Sequence, residues 1–288
     1  MICDDLKDGL ISVPERRCRS LSILHLSDLH ISGTILSEKY YSLIQDIKET
    51  HSCLKNIVIV VTGDIASHGQ IKKSHDAIIE FFNRLKVALG DKVIDIEIVP
   101  GNHDIDRAYL LSTDEYEIAL RDYLALVNII DSIFGIKKGL NKSYGTNIID
   151  CGGRSICFVR ADTSWFFEGK QFDSFIQAHF AKQLLDKSEI DNRLRLLKDS
   201  KNVRVKEYIF KQIADLSDEI NIRKSVAKEK GSPVELVVAL AHHPLSWLMK
   251  SNRESYVDFL GSYSAPDVDM WVCGHAHNVK IHYDCDDN

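Results

Sequence analysis

Val93-Ile94-Asp95-Ile96-Glu97-Ile98-Val99-Pro100-Gly101-Asn102-His103-Asp104 is the stretch that decides the fold. Its first seven residues alternate apolar and acidic, the period of a β-strand. Pro100 and Gly101 then force a sharp turn, because proline fixes φ and glycine accepts angles other residues avoid. Three side chains able to bind metal or move protons follow without a spacer: a neutral oxygen, a nitrogen titrating near neutrality, and a carboxylate. Alone, the stretch reads as a polar turn whose Asn and Asp bond their own backbone. Four other strand ends in the chain carry the same kind of cargo, and that changes the reading.

Working outward, Leu21–Leu26 is a short apolar strand running into Ser27-Asp28-Leu29-His30. A helix is expected over 37–50, with Ser37 as its N-cap. Ile57-Val58-Ile59-Val60-Val61 is a continuous β-branched run, the mark of a strand buried on both faces, and it empties into Thr62-Gly63-Asp64. A helix over 71–89 carries Ile78, Ile79, Phe82, Leu85 and Leu89 on one face and stops at Gly90. Strand, helix, strand, helix, strand predicts a parallel α/β layer, in which chemistry gathers beyond the carboxyl ends of the strands.

Past Asp104 the spacing predicts a helix over 114–134, then a hairpin of 146–150 and 155–161 around Gly152-Gly153. Residues 173–230, rich in Lys, Glu, Asp, Leu and Ile, read as two or three amphipathic helices inserted over the sheet. Their charges read as a solvated face. Glu235–Ala241 is a strand delivering His242-His243-Pro244. A short helix near 252–260 and a last strand, 268–273, follow, the strand delivering Gly274-His275-Ala276-His277.

The composition of the 288 residues suits one large domain or two small ones, with 44% hydrophobic and 27% charged residues. Residues 1–20 show no period and read as a leader of low order, leaving 21–288 as the domain. A net charge of -6 lacks the basic signature of a dedicated nucleic-acid binder, although a metal site can supply local positive charge. Seven cysteines without a CxxC pair fit free thiols in a reducing compartment. No signal peptide or membrane-length apolar run stands out, so the expected location is cytoplasmic and no membrane partner is expected.

Five strand ends thus carry Asp28-x-His30, Gly63-Asp64, Gly101-Asn102-His103-Asp104, His242-x-Pro244 and Gly274-His275-x-His277, with six of the twelve histidines among them. Each alone is more often a turn or a packed loop. Carboxylates, imidazoles and an Asn oxygen without thiolate suit Mn, Fe or Zn. Seven ligands are too many for one tetrahedral ion and about right for two sharing a bridge. Two ions roughly 3.5–4 Å apart are the usual device for phosphate-ester hydrolysis.

In this order the five motifs resemble the calcineurin-like metallophosphoesterase superfamily, over Leu21 to His277. The resemblance implies a four-layer αββα sandwich, here with a helical insertion, and two divalent metal ions at the strand ends. By position, Asp28, His30 and His277 would bind the first ion and Asn102, His242 and His275 the second, with Asp64 bridging. A metal-bridging hydroxide would attack phosphorus, and His103 would act as general acid. His243 would be a packing residue or support a ligand, because the family ligand precedes the proline by two. In the protein-phosphatase branch an Asp three positions after the bridging Asp orients the catalytic His; here that position is Ser67. The wording Leu26-Ser27-Asp28-Leu29-His30 and Val99-Pro100-Gly101-Asn102-His103-Asp104 instead resembles the bacterial cyclic-nucleotide phosphodiesterase and nuclease-like branches. The expected substrate is therefore a phosphodiester, with a nucleotide or nucleic acid as the candidate partner. A nuclease, and an effector or regulatory module of a larger protein, are the alternatives. These folds normally continue past the last His-x-His, so a longer polypeptide with further C-terminal domains is also an expectation.

Overall fold

The computed structural model describes residues 21–50, 54–67, 71–105, 116–164, 211–212, 215–216, 218–244 and 268–275. The expected leader 1–20, most of the insert, the helix near 252–260 and His277 lie outside the described residues.

Two sheets form. The first has strands β1 (Ser22–Leu26), β2 (Ile57–Thr62) and β3 (Val93–Val99), all parallel, in the order β1-β2-β3. The second has β4 (Gly145–Asp150), β5 (Ser155–Arg160), β6 (Val234–Ala241) and β7 (Met270–Cys273), ordered β4-β5-β6-β7. Of these described pairings, the β4–β5 hairpin alone is antiparallel, as the Gly152-Gly153 signal predicts. Asp150 closes that turn by accepting the Gly152 and Gly153 amides.

Side-chain alternation along β2 explains the layering. Ile57, Ile59 and Val61 face a core shared with α1 (Glu38–Thr50), α2 (Ile71–Leu89) and α3 (Arg121–Ile133). Val58 and Val60 face the other way, onto Phe158, Val238 and Leu240 of the second sheet. The outer face of that sheet, with Cys157, Val159 and Val237, is covered by Leu216 and Ile220, the latter on a helix, α4, over 218–229. The order helices, sheet, sheet, helix is the four-layer sandwich expected from the sequence. The helix expected over 114–134 is broken at Leu120, between a short turn, Tyr116–Ala119, and α3.

A buried polar seam joins the open edges of the two sheets. Asp95 and Glu97 of β3 accept from Lys138 at 2.7 and 2.6 Å and from Asn147 of β4 at 2.7 and 2.6 Å. Lys138 also donates to the Ile96 carbonyl, and Arg160 Nε of β5 stands 3.4 Å from Glu97. The acidic positions that make β3 alternate therefore face the second sheet rather than water. Among the described residues no helix is long and apolar enough to cross a membrane.

Candidate metal centre

Because β1, β2 and β3 are parallel, their carboxyl ends open on one edge, and so do those of β5, β6 and β7. The motif loops leave from these ends, and hydrogen bonds tie the two sets together. The His275 amide donates to Asp28 Oδ2 at 2.9 Å, and His242 Nδ1 lies 2.8 Å from the Thr62 carbonyl.

The loops come together only because three glycines lack side chains. A Cβ on Gly63 would stand 2.5 Å from the Gly101 nitrogen and 2.7 Å from His242 Nδ1. One on Gly101 would overlap the backbone nitrogen and carboxylate of Asp64, and one on Gly274 would overlap Ser27. The side chains they make room for are held in costly backbone conformations. Asp28, His30, Asp64 and His275 all have positive φ, at 52°, 48°, 52° and 66°. At about 1–2 kcal/mol each, that strain is a sizeable fraction of a domain's net stability of roughly 5–15 kcal/mol. Outliers clustered in this way mark a functional site.

Asp64 lies at the centre, 1% exposed. Its Oδ2 is 3.4 Å from His242 Nε2, 3.8 Å from His30 Nε2 and 3.9 Å from His103 Nε2, and its Oδ1 accepts the His103 amide at 2.8 Å. His242 Nε2 is in turn 2.9 Å from both Asn102 Oδ1 and His275 Nδ1. Because Nδ1–H donates to a carbonyl, Nε2 points into the cluster with a lone pair or with one proton. One proton can serve only one of its three neighbours. A cation among them serves all, and ligand atoms about 2.1 Å from a shared ion stand about 3–3.5 Å apart, a range that holds the 2.9 and 3.4 Å separations around His242 Nε2. The donor set fits a metal. Two groups converge closely enough to hold an ion, Asp28 with His30 and Asp64, and His242 with His243 and His275, each with ligand atoms within 4.8 Å of one another.

The electrostatics agree. Burial would raise the Asp64 carboxyl, but the hydrogen bond and charge of His242, with His103 behind it, hold it well below the usual range. Burial would lower His242, but Asp64 raises it. In the metal-free chain a proton shared by the pair therefore favours His242 over Asp64, and a metal bound at Nε2 would compete with it. Burial, with the charges of His242 and His275, pushes His243 well below its ordinary value.

The structure thus brings together Asp28, His30, Asp64, Asn102, His103, His242 and His275. Asp104 turns away: its carboxylate accepts the Ala66 and Gly101 amides at 3.0 and 2.9 Å, clasping the β2 and β3 loops. Ser67, which stands where the protein-phosphatase branch has its orienting Asp, donates its hydroxyl to the His30 carbonyl at 3.0 Å. His103 is held instead by its amide on Asp64 and by its ring, edge-on to His30 at 5.1 Å. Sequence reasoning missed Thr62, whose carbonyl sets the His242 tautomer, and Ser27, whose hydroxyl donates to Asp28 Oδ2 at 2.5 Å. Their one signal was adjacency to Asp28 and Gly63.

Comparison with known proteins agrees with this geometry. A relative from Bacillus subtilis (strain 168), the "Uncharacterized metallophosphoesterase-like protein YydB", is 23% identical over 278 residues, covering 92% of this chain and 50% of that protein. The chain therefore spans about half the length of that relative. Among solved structures, the protein of unknown function AQ665 from Aquifex aeolicus overlaps with a TM-score of 0.26 at 12% identity, over 78% of this chain and 82% of that one. The cold-active protein-tyrosine phosphatase of a Shewanella species overlaps at 0.25 and 12%, over 76% and 66%. Both overlaps are too loose to inform fold or substrate. The model of the calcineurin-like phosphoesterase family matches residues 21–279. With nearly the whole chain matched and the motif loops converging on one edge, this protein belongs to the calcineurin-like phosphoesterase family, metal-dependent hydrolases of phosphoesters.

Proposed function

We propose that this chain hydrolyses phosphodiesters at a dimetal centre. Asp28, His30 and His277 would hold one ion, Asn102, His242 and His275 the other, and Asp64 would bridge them. When bound, two divalent ions of the Mn, Fe or Zn class supply Lewis-acid charge that lowers the pKa of water and neutralises phosphate oxygens.

The chain's own residues do the rest. Thr62 fixes the His242 tautomer, and Asp104 holds the two loops that carry Asp64 and His103. The His103 side chain, 21% exposed beside Asp64, reaches the open side of the site, where an imidazolium proton can pass to the leaving oxygen. The observation that carries the reading is the convergence of six of the seven expected ligands on one edge. The wording of the Asp28 and Asn102 motifs supports the diester class. A cytoplasmic setting agrees with the free thiols of Cys151, Cys157 and Cys273.

The test is turnover of bis(p-nitrophenyl) phosphate against p-nitrophenyl phosphate with Mn²⁺, alongside cyclic nucleotides and single- and double-stranded nucleic acids. Diester hydrolysis abolished by Asp64→Ala supports the proposal. Preference for the monoester refutes the diester assignment, cleavage of polymers alone makes the chain a nuclease, and no turnover with any divalent metal leaves a binding or effector module.

A further inference from the structure

Behind the imidazoles of His242 and His275 lies a third, His243, buried at 2% exposure, with its ring 4.8 Å and 4.6 Å from theirs. Its backbone N–H donates to Thr163 Oγ1 at 3.1 Å, and its Nδ1 is 3.1 Å from the same oxygen. Thr163 belongs to the turn that follows β5. Asp162 closes that turn, accepting the Ser164 amide and hydroxyl at 3.0 and 2.6 Å and the Ser143 hydroxyl at 2.5 Å.

Among the described residues, Gln212 grips the turn from the helical side. Gln212 Oε1 accepts the Asp162 amide at 2.8 Å, and Gln212 Nε2 donates to the Asp162 carbonyl at 3.1 Å, a pairing of the kind one strand makes with its neighbour. Gln212 is itself buried. The same helical region is fastened to the second sheet at two further points, Asp215 on Lys142 and Tyr144, and Glu219 on Thr146. Those bonds end on Lys142, Tyr144 and Thr146, not on the 161–164 turn.

We propose that Gln212 is a positioning residue of the metal centre. By pinning the backbone of Asp162 it holds Thr163, and through Thr163 it holds His243 against His242 and His275. The helical segment that carries Gln212 thereby sets the affinity of that half-site for its ion. The inference rests on the ligand assignment proposed above, and it is read from binding rather than turnover, so the two can fail separately.

The experiment titrates Mn²⁺ calorimetrically into the metal-stripped full chain, for wild type, Gln212→Met, Thr163→Val, their double variant and Asp215→Asn. Residues that orient a ligand typically govern metal affinity by 10–100-fold, so a weakening of about tenfold at one of two sites is expected in Gln212→Met and Thr163→Val. The double variant should be no weaker than the weaker single variant, because both cut one relay. Asp215→Asn should stay within about twofold. Hydrogen exchange in the metal-free protein should show the His243 amide less protected in Gln212→Met. Unchanged affinity in Gln212→Met, equal weakening in Asp215→Asn, or additive losses in the double variant would each overturn the proposal. If Gln212→Met does not fold, Gln212→Glu, which keeps the acceptor for the Asp162 amide, carries the same comparison. A wild type that binds no Mn²⁺ refutes the ligand assignment instead.

Discussion

Replacing Asp131 with Asn should make this protein more stable, and increasingly so as the pH rises. Asp131 sits on α3, 2% exposed, with neither carboxylate oxygen hydrogen-bonded among the described residues. Burial raises its pKa from 3.8 to about 7; Lys138 and Arg160 act to lower it, and Glu97 and Asp95 to raise it. The native state therefore holds a proton between those two values that the unfolded chain has given up. Stability from this group is complete below pH 3.8 and falls as pH rises through the window to about 7. At about 1.36 kcal/mol per pH unit, the full interval costs at most about 4 kcal/mol, a large share of a typical net stability. Asparagine keeps the shape, carries no charge at any pH and escapes that cost. Urea denaturation of both proteins in EDTA, at half-unit steps from pH 4.5 to 8, measures the difference. The two should be within about 1–2 kcal/mol of each other at pH 4.5, with the variant ahead by about 3 kcal/mol at pH 8. A difference that stays constant across the range would refute the reasoning, since it would mean that Asp131 is charged in the native state throughout.

Lys138→Met should act in the opposite sense. It leaves Asp95 and Glu97 facing each other in the seam without a lysine between them, Asn147, Arg160 and the Ile96 amide being the partners that remain among the described residues, a loss of about 3–5 kcal/mol readable in the same denaturation assay. Gly101→Ala should lose both stability, measured by urea denaturation, and metal affinity, measured by calorimetry on whatever folds. The new Cβ meets the backbone of Asp64, which cannot rotate away as a side chain could. His103→Asn should slow diesters with poor leaving groups by about 10²–10⁴-fold and p-nitrophenyl diesters far less, because only a basic leaving oxygen needs the proton. Equal slowing of both would remove His103 as the acid.

Much of this molecule was legible from residue order alone. The alternation in β3 and the β-branched run in β2 specify strands through local sterics and burial, and the Gly152-Gly153 dipeptide specifies a turn. The candidate ligands were legible too, since imidazole and carboxylate side chains at strand ends have few other uses in such number. Only the tertiary structure decided how those pieces act on one another. Nothing in the run Asp95-Ile96-Glu97 says whether its acids face water or a second sheet; the partner sheet, with Asn147 and Arg160, decides that. Asp104, one of three side chains in its motif able to bind metal or move protons, is a clasp, because the amides it satisfies come from two loops brought together by folding. Ser67 could not show where its own hydroxyl goes, since the His30 carbonyl it meets lies on another strand end. Residue types and their periods act over a turn or a strand. The pairing of Gln212 with Asp162, fifty residues away, exists only once two sheets and a helix have closed around it.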